Sequence, residues 1–141
     1  MRRANEIMLV AETLKGHTVS KEQLFELQEK FNKEWKEYEI HLDLLDTHFV
    51  DQLNRNENRC HPISFAELSS ILEQFTTKHR EVVSKLESNS YGVIQEPHTF
   101  TNVVFFVDGN SNEQKKDVRL ITIMRKKNFS THNRIYEVKL E

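Results

Sequence analysis

A nearly continuous run of apolar, β-branched and aromatic residues at positions 100–107 constrains the fold of this chain more than any other segment. Such a run is typical of a strand that is covered on both faces. Residues 108–112 read Asp-Gly-Asn-Ser-Asn, a composition that favours a hairpin turn. Residues 118–126 then form the partner strand. The sequence therefore predicts a central strand pair, with Phe105 fully buried in it.

Helical patterns precede these strands. Ser20 begins a helix with Gln23 in the capping-box position, and its apolar residues follow at three- and four-residue spacing as far as Trp35. Ser64 begins a second long helix, with Glu67 in the capping-box position. The other predicted helices are 4–15 and a short one from Thr47 to about Leu53; the helix from Ser64 runs to about residue 86.

Alternating apolar and polar residues predict further strands at 38–45, 91–95 and 134–140. Residues 54–62 are polar and are expected to form a loop. We therefore predict one α+β domain over residues 1–141, with a helical front at 1–37 and a strand-helix-sheet body at 38–141. The N-terminal helices are expected to pack on one side of a mainly antiparallel sheet of four to five strands.

Composition limits the class of protein. Charged residues make up 30% of the 141 residues, and there are only three glycines and two prolines, as in helix-rich globular proteins. The single cysteine, Cys60, excludes an internal disulfide and a zinc site with several thiolates. No run approaches the roughly 18 apolar residues of a membrane span, and the apolar stretch near the N-terminus is too short for a signal peptide. A cytoplasmic location is expected.

The net charge of −2 is unevenly distributed. Residues 101–141 contain eight Lys and Arg against five Asp and Glu, whereas residues 1–100 contain twelve against seventeen. A basic C-terminal third is compatible with an anionic ligand, although charge alone favours the more ordinary explanation of solvated strand faces and loops.

Two segments carry the residues most suited to chemistry. His48 is expected in the first turn of the short helix, where it could act as a general base. Arg125, Lys126 and Lys127 mark the end of the predicted strand at 118–126, where long cations could hold a phosphate. Metal-independent phosphodiester cleavage needs little more than these two groups. Alternatively, these cations only mark where the strand leaves the core.

Strict alternation places the late strand's residues on two faces. One face has Val118, Leu120, Thr122, Met124 and Lys126, and the other has Arg119, Ile121, Ile123, Arg125 and Lys127.

A metal site is an alternative for the segment that contains His41, Asp43, Asp46, His48 and Asp51. It matches no ligand spacing of a known metal motif, and a solvated acidic strand face explains it equally well. No metal or cofactor is therefore expected. Glycine-rich phosphate loops and nucleophile elbows do not occur in the sequence.

With these residues, the chain resembles small nuclease domains of the group that contains RelE-type toxins, barnase and colicin-type ribonucleases, especially the phage and bacterial versions. The resemblance covers roughly residues 38–140, although Gln52 stands where many relatives have Arg. It implies an antiparallel sheet with helices on one side, and RNA as the substrate. The matching positions are His48-Phe49-Val50-Asp51, Arg59, Ile63-Ser64 and residues 122–127.

The first hypothesis is a small metal-independent endoribonuclease, toxin-like or phage-encoded. His48 would take the 2′-hydroxyl proton, and Arg125 and Lys126, or Arg59, would stabilise the transition state. Thr122 or His132 would orient the phosphate or protonate the leaving oxygen, and Lys127 and Arg134 would bind RNA.

The second hypothesis is a non-enzymatic binding protein that docks on a host protein or a nucleic acid. Its acidic helical front and basic sheet would present two opposed surfaces. A third is a structural subunit whose strand edge pairs with another copy. An antitoxin partner and the oligomeric state are left open by the sequence.

Overall fold

The structure is a computed structural model that describes residues 19–55, 63–110, 115–127 and 136–140. The predicted helix over 4–15 lies outside these residues, as does most of the predicted loop over 54–62. The elements in chain order are α1 (Lys21–Trp35), a 3-10 turn (Lys36–Tyr38), β1 (Ile40–Asp43), α2 (Thr47–Leu53), α3 (Phe65–Ser84), β2 (Ser90–Glu96), β3 (Thr101–Asn110), β4 (Lys115–Arg125) and β5 (Tyr136–Lys139).

The five strands form one sheet in the order β1-β4-β3-β2-β5. The long strands β2, β3 and β4 pair antiparallel, which confirms the predicted central pair and the mainly antiparallel character of the sheet. The two short edge strands pair parallel, β1 with β4 and β5 with β2, so the sheet is mixed. A parallel pair cannot be joined by a tight turn. Residues 44–114 separate β1 from β4, and residues 97–135, which include β3 and β4, separate β2 from β5.

The helices lie on one side of this sheet and share a core with it. Phe105 on β3 is fully buried, and its ring centroid is 5.3 Å from that of Phe75 on α3. Phe75 in turn packs against Trp35 of α1, whose indole N–H donates to the Thr76 hydroxyl at 2.8 Å. The α+β class and the burial of Phe105 are thus confirmed.

Side-chain caps fix where the long helices begin. The Ser20 hydroxyl accepts from the Gln23 amide, and the Gln23 side chain accepts from the Ser20 amide, so the predicted capping box is complete. The Ser64 hydroxyl accepts from the Glu67 amide at 3.0 Å. The Glu67 carboxylate, however, bonds to a residue of the sheet, which is described below.

The predicted strand over 38–45 is shorter than expected. Tyr38 belongs to the 3-10 turn, and Glu39 has a positive φ of 57°, so regular extended structure begins at Ile40. It ends at Asp43 because Asp46 begins α2 by accepting from the Phe49 amide at 3.2 Å. Helix α2 packs against β4.

A bulge in β4 overturns the predicted faces of that strand. Val104 pairs with Thr122 but Phe105 pairs with Leu120, so Ile121 is an extra residue on β4. Each residue beyond the bulge therefore changes sides relative to strict alternation. Leu120 and Ile123 are both fully buried in the core that the helices cover. Arg125 consequently lies on the helix side, with Val118 and Leu120 rather than opposite them.

Candidate nucleic-acid interface

A cleft opens at the end of the sheet where β2 ends and β3 begins. It encloses about 370 Å³, and we call it the basic cleft because two lysines, Lys126 and Lys139, contribute to its walls. Lys126 follows β4 directly, and Lys139 is the last residue of β5. The complete lining is Gln95, Glu96, Pro97, Phe100, Asn102, Lys126, Lys139 and Leu140.

Strand register explains why residues far apart in sequence meet in the cleft. Gln95 on β2 pairs with Asn102 on β3 and with Lys139 on β5. Directly paired residues point to the same face, so these three polar side chains form a row across the sheet. They lie on the face opposite the helices, since the neighbouring pair Ile94 and Val103 belongs to the core.

Asn102, one member of this row, is hydrogen-bonded to the backbone of the cleft wall next to Lys126. Its buried side-chain amide donates to the carbonyl of Phe100 at 3.1 Å and to the carbonyl of Lys126 at 3.0 Å. The Lys126 amide also donates to the Phe100 carbonyl at 2.8 Å. Two of these three hydrogen bonds join the ends of β3 and β4, so the cleft wall is hydrogen-bonded backbone rather than a loose loop.

Phe100 presents an aromatic ring at the mouth of the cleft. Its side chain is 47% exposed, which is unusual for phenylalanine, and its φ is +57°. Lys127 places its ammonium 5.8 Å from the ring centroid. A non-glycine residue with positive φ is strained, and such strain persists only where surrounding contacts enforce it.

Those contacts come from the turn that precedes Phe100. The Glu96 carboxylate accepts from the amides of His98 at 3.0 Å and Thr99 at 2.7 Å, and from the Thr99 hydroxyl at 2.5 Å. Burial raises the pKa of Glu96, but these hydrogen bonds and the nearby His98 outweigh burial, and the pKa is lowered overall. Glu96 is thus the acidic residue in the lining of the cleft, and its carboxylate is hydrogen-bonded to His98 and Thr99 of its own turn.

Arg125 is held on the other side of the sheet from the row. One guanidinium nitrogen donates to the Glu67 carboxylate at 2.8 Å, and another donates to the Thr101 hydroxyl at 2.7 Å. The side chains of Arg125 and Glu67 are 15% and 22% exposed. Charge-assisted bonds in such a shielded site are strong, so Arg125 is engaged in a structural ion pair. For Arg125, this arrangement corresponds to the alternative in which the cations at the strand end have a structural role and do not bind a phosphate.

The remaining predicted site residues are dispersed. His48 is exposed in the first turn of α2. Thr122 is half-buried and pairs with Val104 on β3. Arg59, His132 and Arg134 lie outside the described residues. Of the predicted site residues, Lys126 and Lys127 are the two that stand at the cleft.

Sequence reasoning missed Lys139, Phe100 and Gln95. A signal for Lys139 exists, since it lies near the end of the last predicted strand, as Lys126 does at the end of an earlier one. Nothing local indicates that β5 pairs with β2, which is what brings Lys139 to Gln95.

In the described part of the chain, no group of three His, Cys, Asp or Glu side chains is placed to hold a metal ion. Within the same residues, no helix is long and apolar enough to cross a membrane. Comparison with known proteins finds no matching family, no similar curated protein and no similar solved structure.

Proposed function

We propose that the protein binds single-stranded RNA in the basic cleft, at a cytoplasmic location. The observation that supports this most directly is the meeting of two lysines and an exposed aromatic ring in one cleft: Lys126 and Lys139 on the walls, Phe100 at the mouth. Proteins that bind single strands combine a cationic groove for phosphates with aromatic rings on which bases stack. Lys127 adds a third cation beside the ring.

The shape of the cleft favours an unpaired strand over a duplex. In a double helix the bases are stacked on each other, so an aromatic ring can reach only an unstacked base. Here the cleft volume of about 370 Å³ suits a single nucleotide with its phosphate. The Gln95 amide lies beside Lys139 in the same row, where a base or a ribose hydroxyl could meet a polar group.

Binding without cleavage fits the placement of the catalytic candidates better than an endoribonuclease does. The transition-state role expected of Arg125 requires its guanidinium to face a phosphate, but that group bonds to Glu67 and Thr101 on the helix side of the sheet. His48 belongs to α2, which is not among the elements that line the cleft. The proposal therefore adopts the nucleic-acid-binding hypothesis.

Fluorescence anisotropy with a labelled single-stranded RNA of about ten nucleotides, at several salt concentrations, tests this proposal. We expect Lys126→Ala and Lys139→Ala each to weaken binding and to reduce the slope of log affinity against log salt by about 0.7, because each phosphate contact releases counterions. Phe100→Ala is expected to cost about 1–3 kcal/mol of binding with the slope unchanged, since stacking is uncharged.

Lys85→Ala is the matched control. Lys85 is an exposed lysine at the C-terminal end of α3, and it lies eighteen residues beyond Glu67, about 27 Å along the helix. It should leave both affinity and slope unchanged. If the double variant Lys126→Ala/Lys139→Ala binds the RNA as tightly as the wild type with the same salt slope, the proposal is wrong.

A further inference from the structure

A chain of hydrogen bonds runs from α3 to the turn that carries Phe100, and we call it the Arg125 network. Glu67, in the first turn of α3, accepts from Arg125 at 2.8 Å. Arg125 donates to the Thr101 hydroxyl at 2.7 Å. The Thr99 hydroxyl donates its proton to Glu96 and accepts from the Thr101 hydroxyl at 2.7 Å. Each step is a direct contact, so the network links a helix to the cleft without a gap.

The far end of this network determines the backbone next to Phe100. The Glu96 carboxylate closes the turn by accepting from the amides of His98 and Thr99, and Phe100 follows immediately with φ +57°. Thr101 begins β3 and is fully buried. The strained residue is thus bracketed by two members of the network, Thr99 and Thr101.

We propose that Arg125 is a positioning residue for the RNA site: through Thr101, Thr99 and Glu96 it holds the turn that presents the Phe100 ring. This inference rests on the proposed function. It assigns Arg125 to orientation of the aromatic ring, whereas Lys126, the next residue, contacts the ligand. The bulge at Ile121 separates these roles, because it places Arg125 on the helix side while Lys126 lines the cleft.

Arginine is required for this role because two of its nitrogens donate hydrogen bonds to two different acceptors at the same time. Its planar fork donates to Glu67 with one nitrogen and to Thr101 with another. A lysine keeps the charge and can reach one of these acceptors, but it lacks the fixed geometry that joins both. Arg125→Lys therefore separates the charge of the residue from its geometry.

A double-mutant cycle between Arg125→Lys and Phe100→Ala tests the inference by RNA anisotropy. We expect Arg125→Lys to weaken binding about fivefold or more, approaching the loss caused by Phe100→Ala. In the Phe100→Ala background it should cause almost no further loss, because the ring it positions is gone. The salt slope should stay at the wild-type value. Additive losses would mean that Arg125 acts on RNA independently of the Phe100 ring and would overturn the inference.

The matched control is Arg119→Lys. Arg119 lies on the same strand, β4. Its guanidinium is 4.0 Å from the carboxylate of Asp43 on β1, in a half-exposed ion pair. It has the same residue type and a comparable partner but no contact with the turn. Its substitution should leave RNA affinity unchanged.

A second measurement needs no RNA and separates this inference from the proposed function. Amide hydrogen exchange of His98 and Thr99 reports on the turn itself. In Arg125→Lys these two amides should exchange at least about fivefold faster, while Val103 in the centre of β3 keeps its protection. Unchanged exchange at both amides would overturn the inference. If the wild type binds no RNA but the amides respond as expected, the proposed function alone fails.

Should Arg125→Lys unfold, Thr99→Ala replaces it in both experiments, because it removes the hydroxyl that joins Thr101 to Glu96.

Discussion

At the scale of single residues, Phe105 and Gly92 form a closely complementary pair in the described core. They are directly opposite in the β2–β3 register. A Cβ atom added at Gly92 would lie 2.1 Å from the Cζ atom of the Phe105 ring, closer than any real contact allows. Phe105 was predictable from the apolar run around it, but the need for glycine was not, because it arises from a ring on another strand.

We expect Phe105→Ala to lower the free energy of unfolding by about 3–5 kcal/mol, since it removes a fully buried ring. Gly92→Ala should also destabilise the wild type, yet cost much less in the Phe105→Ala background, where the cavity accepts the added methyl group. Urea denaturation measures all four variants. Phe106→Ala, on the half-buried face of the same strand, is the control and should cost less. A loss below about 1 kcal/mol for Phe105→Ala would contradict the assigned core.

At the scale of elements, local rules identified the helix starts but not how their side chains are used. Ser20 and Gln23 satisfy each other within four residues, so a sequence motif suffices to predict them. Glu67 occupies the corresponding position after Ser64, but its carboxylate bonds to Arg125 on β4. A tertiary partner fifty-eight residues away outcompetes the local one, and no motif records it. The bulge at Ile121 escaped prediction for a similar reason, because it depends on the register with β3.

Helix α3 also carries a pH-dependent contribution to stability. His79 stacks on Phe75, with ring centroids 6.4 Å apart, and burial together with the neighbouring Lys78 lowers its pKa. The unfolded chain therefore binds a proton at His79 more readily than the folded chain does. Its contribution is present above the unfolded pKa of about 6.5 and is lost as the pH falls through the lower folded value.

His79→Phe should accordingly flatten the dependence of the melting temperature on pH between about 7.5 and 5, because phenylalanine keeps the stacking without the proton. Thermal denaturation at a series of pH values measures it. Val82→Ala, which changes an exposed residue of the same helix that has no titrating group, is the control and should retain the wild-type dependence. Equal slopes for wild type and His79→Phe would show that His79 does not contribute.

At the scale of the whole molecule, the basic end of the sheet was predictable in part. Lys126 and Lys127 follow a strongly patterned strand, so their position at its end required only the strand itself. Lys139 and Phe100 required two further facts, the parallel pairing of β5 with β2 and the positive φ after the Glu96 turn. Both depend on contacts between distant segments. The excess of cations in residues 101–141 could not locate the cleft, because the position of the cleft depends on how the strands pair.

The fate of bound RNA distinguishes the binding proposal from the endoribonuclease hypothesis. Metal-independent cleavage by 2′-hydroxyl attack needs a base and a transition-state cation around one phosphate. In the structure the strongest candidate for that cation, Arg125, is paired with Glu67, and the lysines of the basic cleft stand at the end of the sheet.

We therefore expect a single-stranded RNA incubated with the protein in EDTA, between about pH 5 and 8, to remain intact while bound. Gel analysis with end-group identification measures this, and heat-unfolded protein serves as the control for contaminating nuclease. The appearance of 2′,3′-cyclic phosphate ends that vanish in His48→Ala, with RNA affinity retained, would contradict the expectation. It would assign the proton transfer to His48, because a group that acts only in the transition state can be lost without weakening ground-state binding.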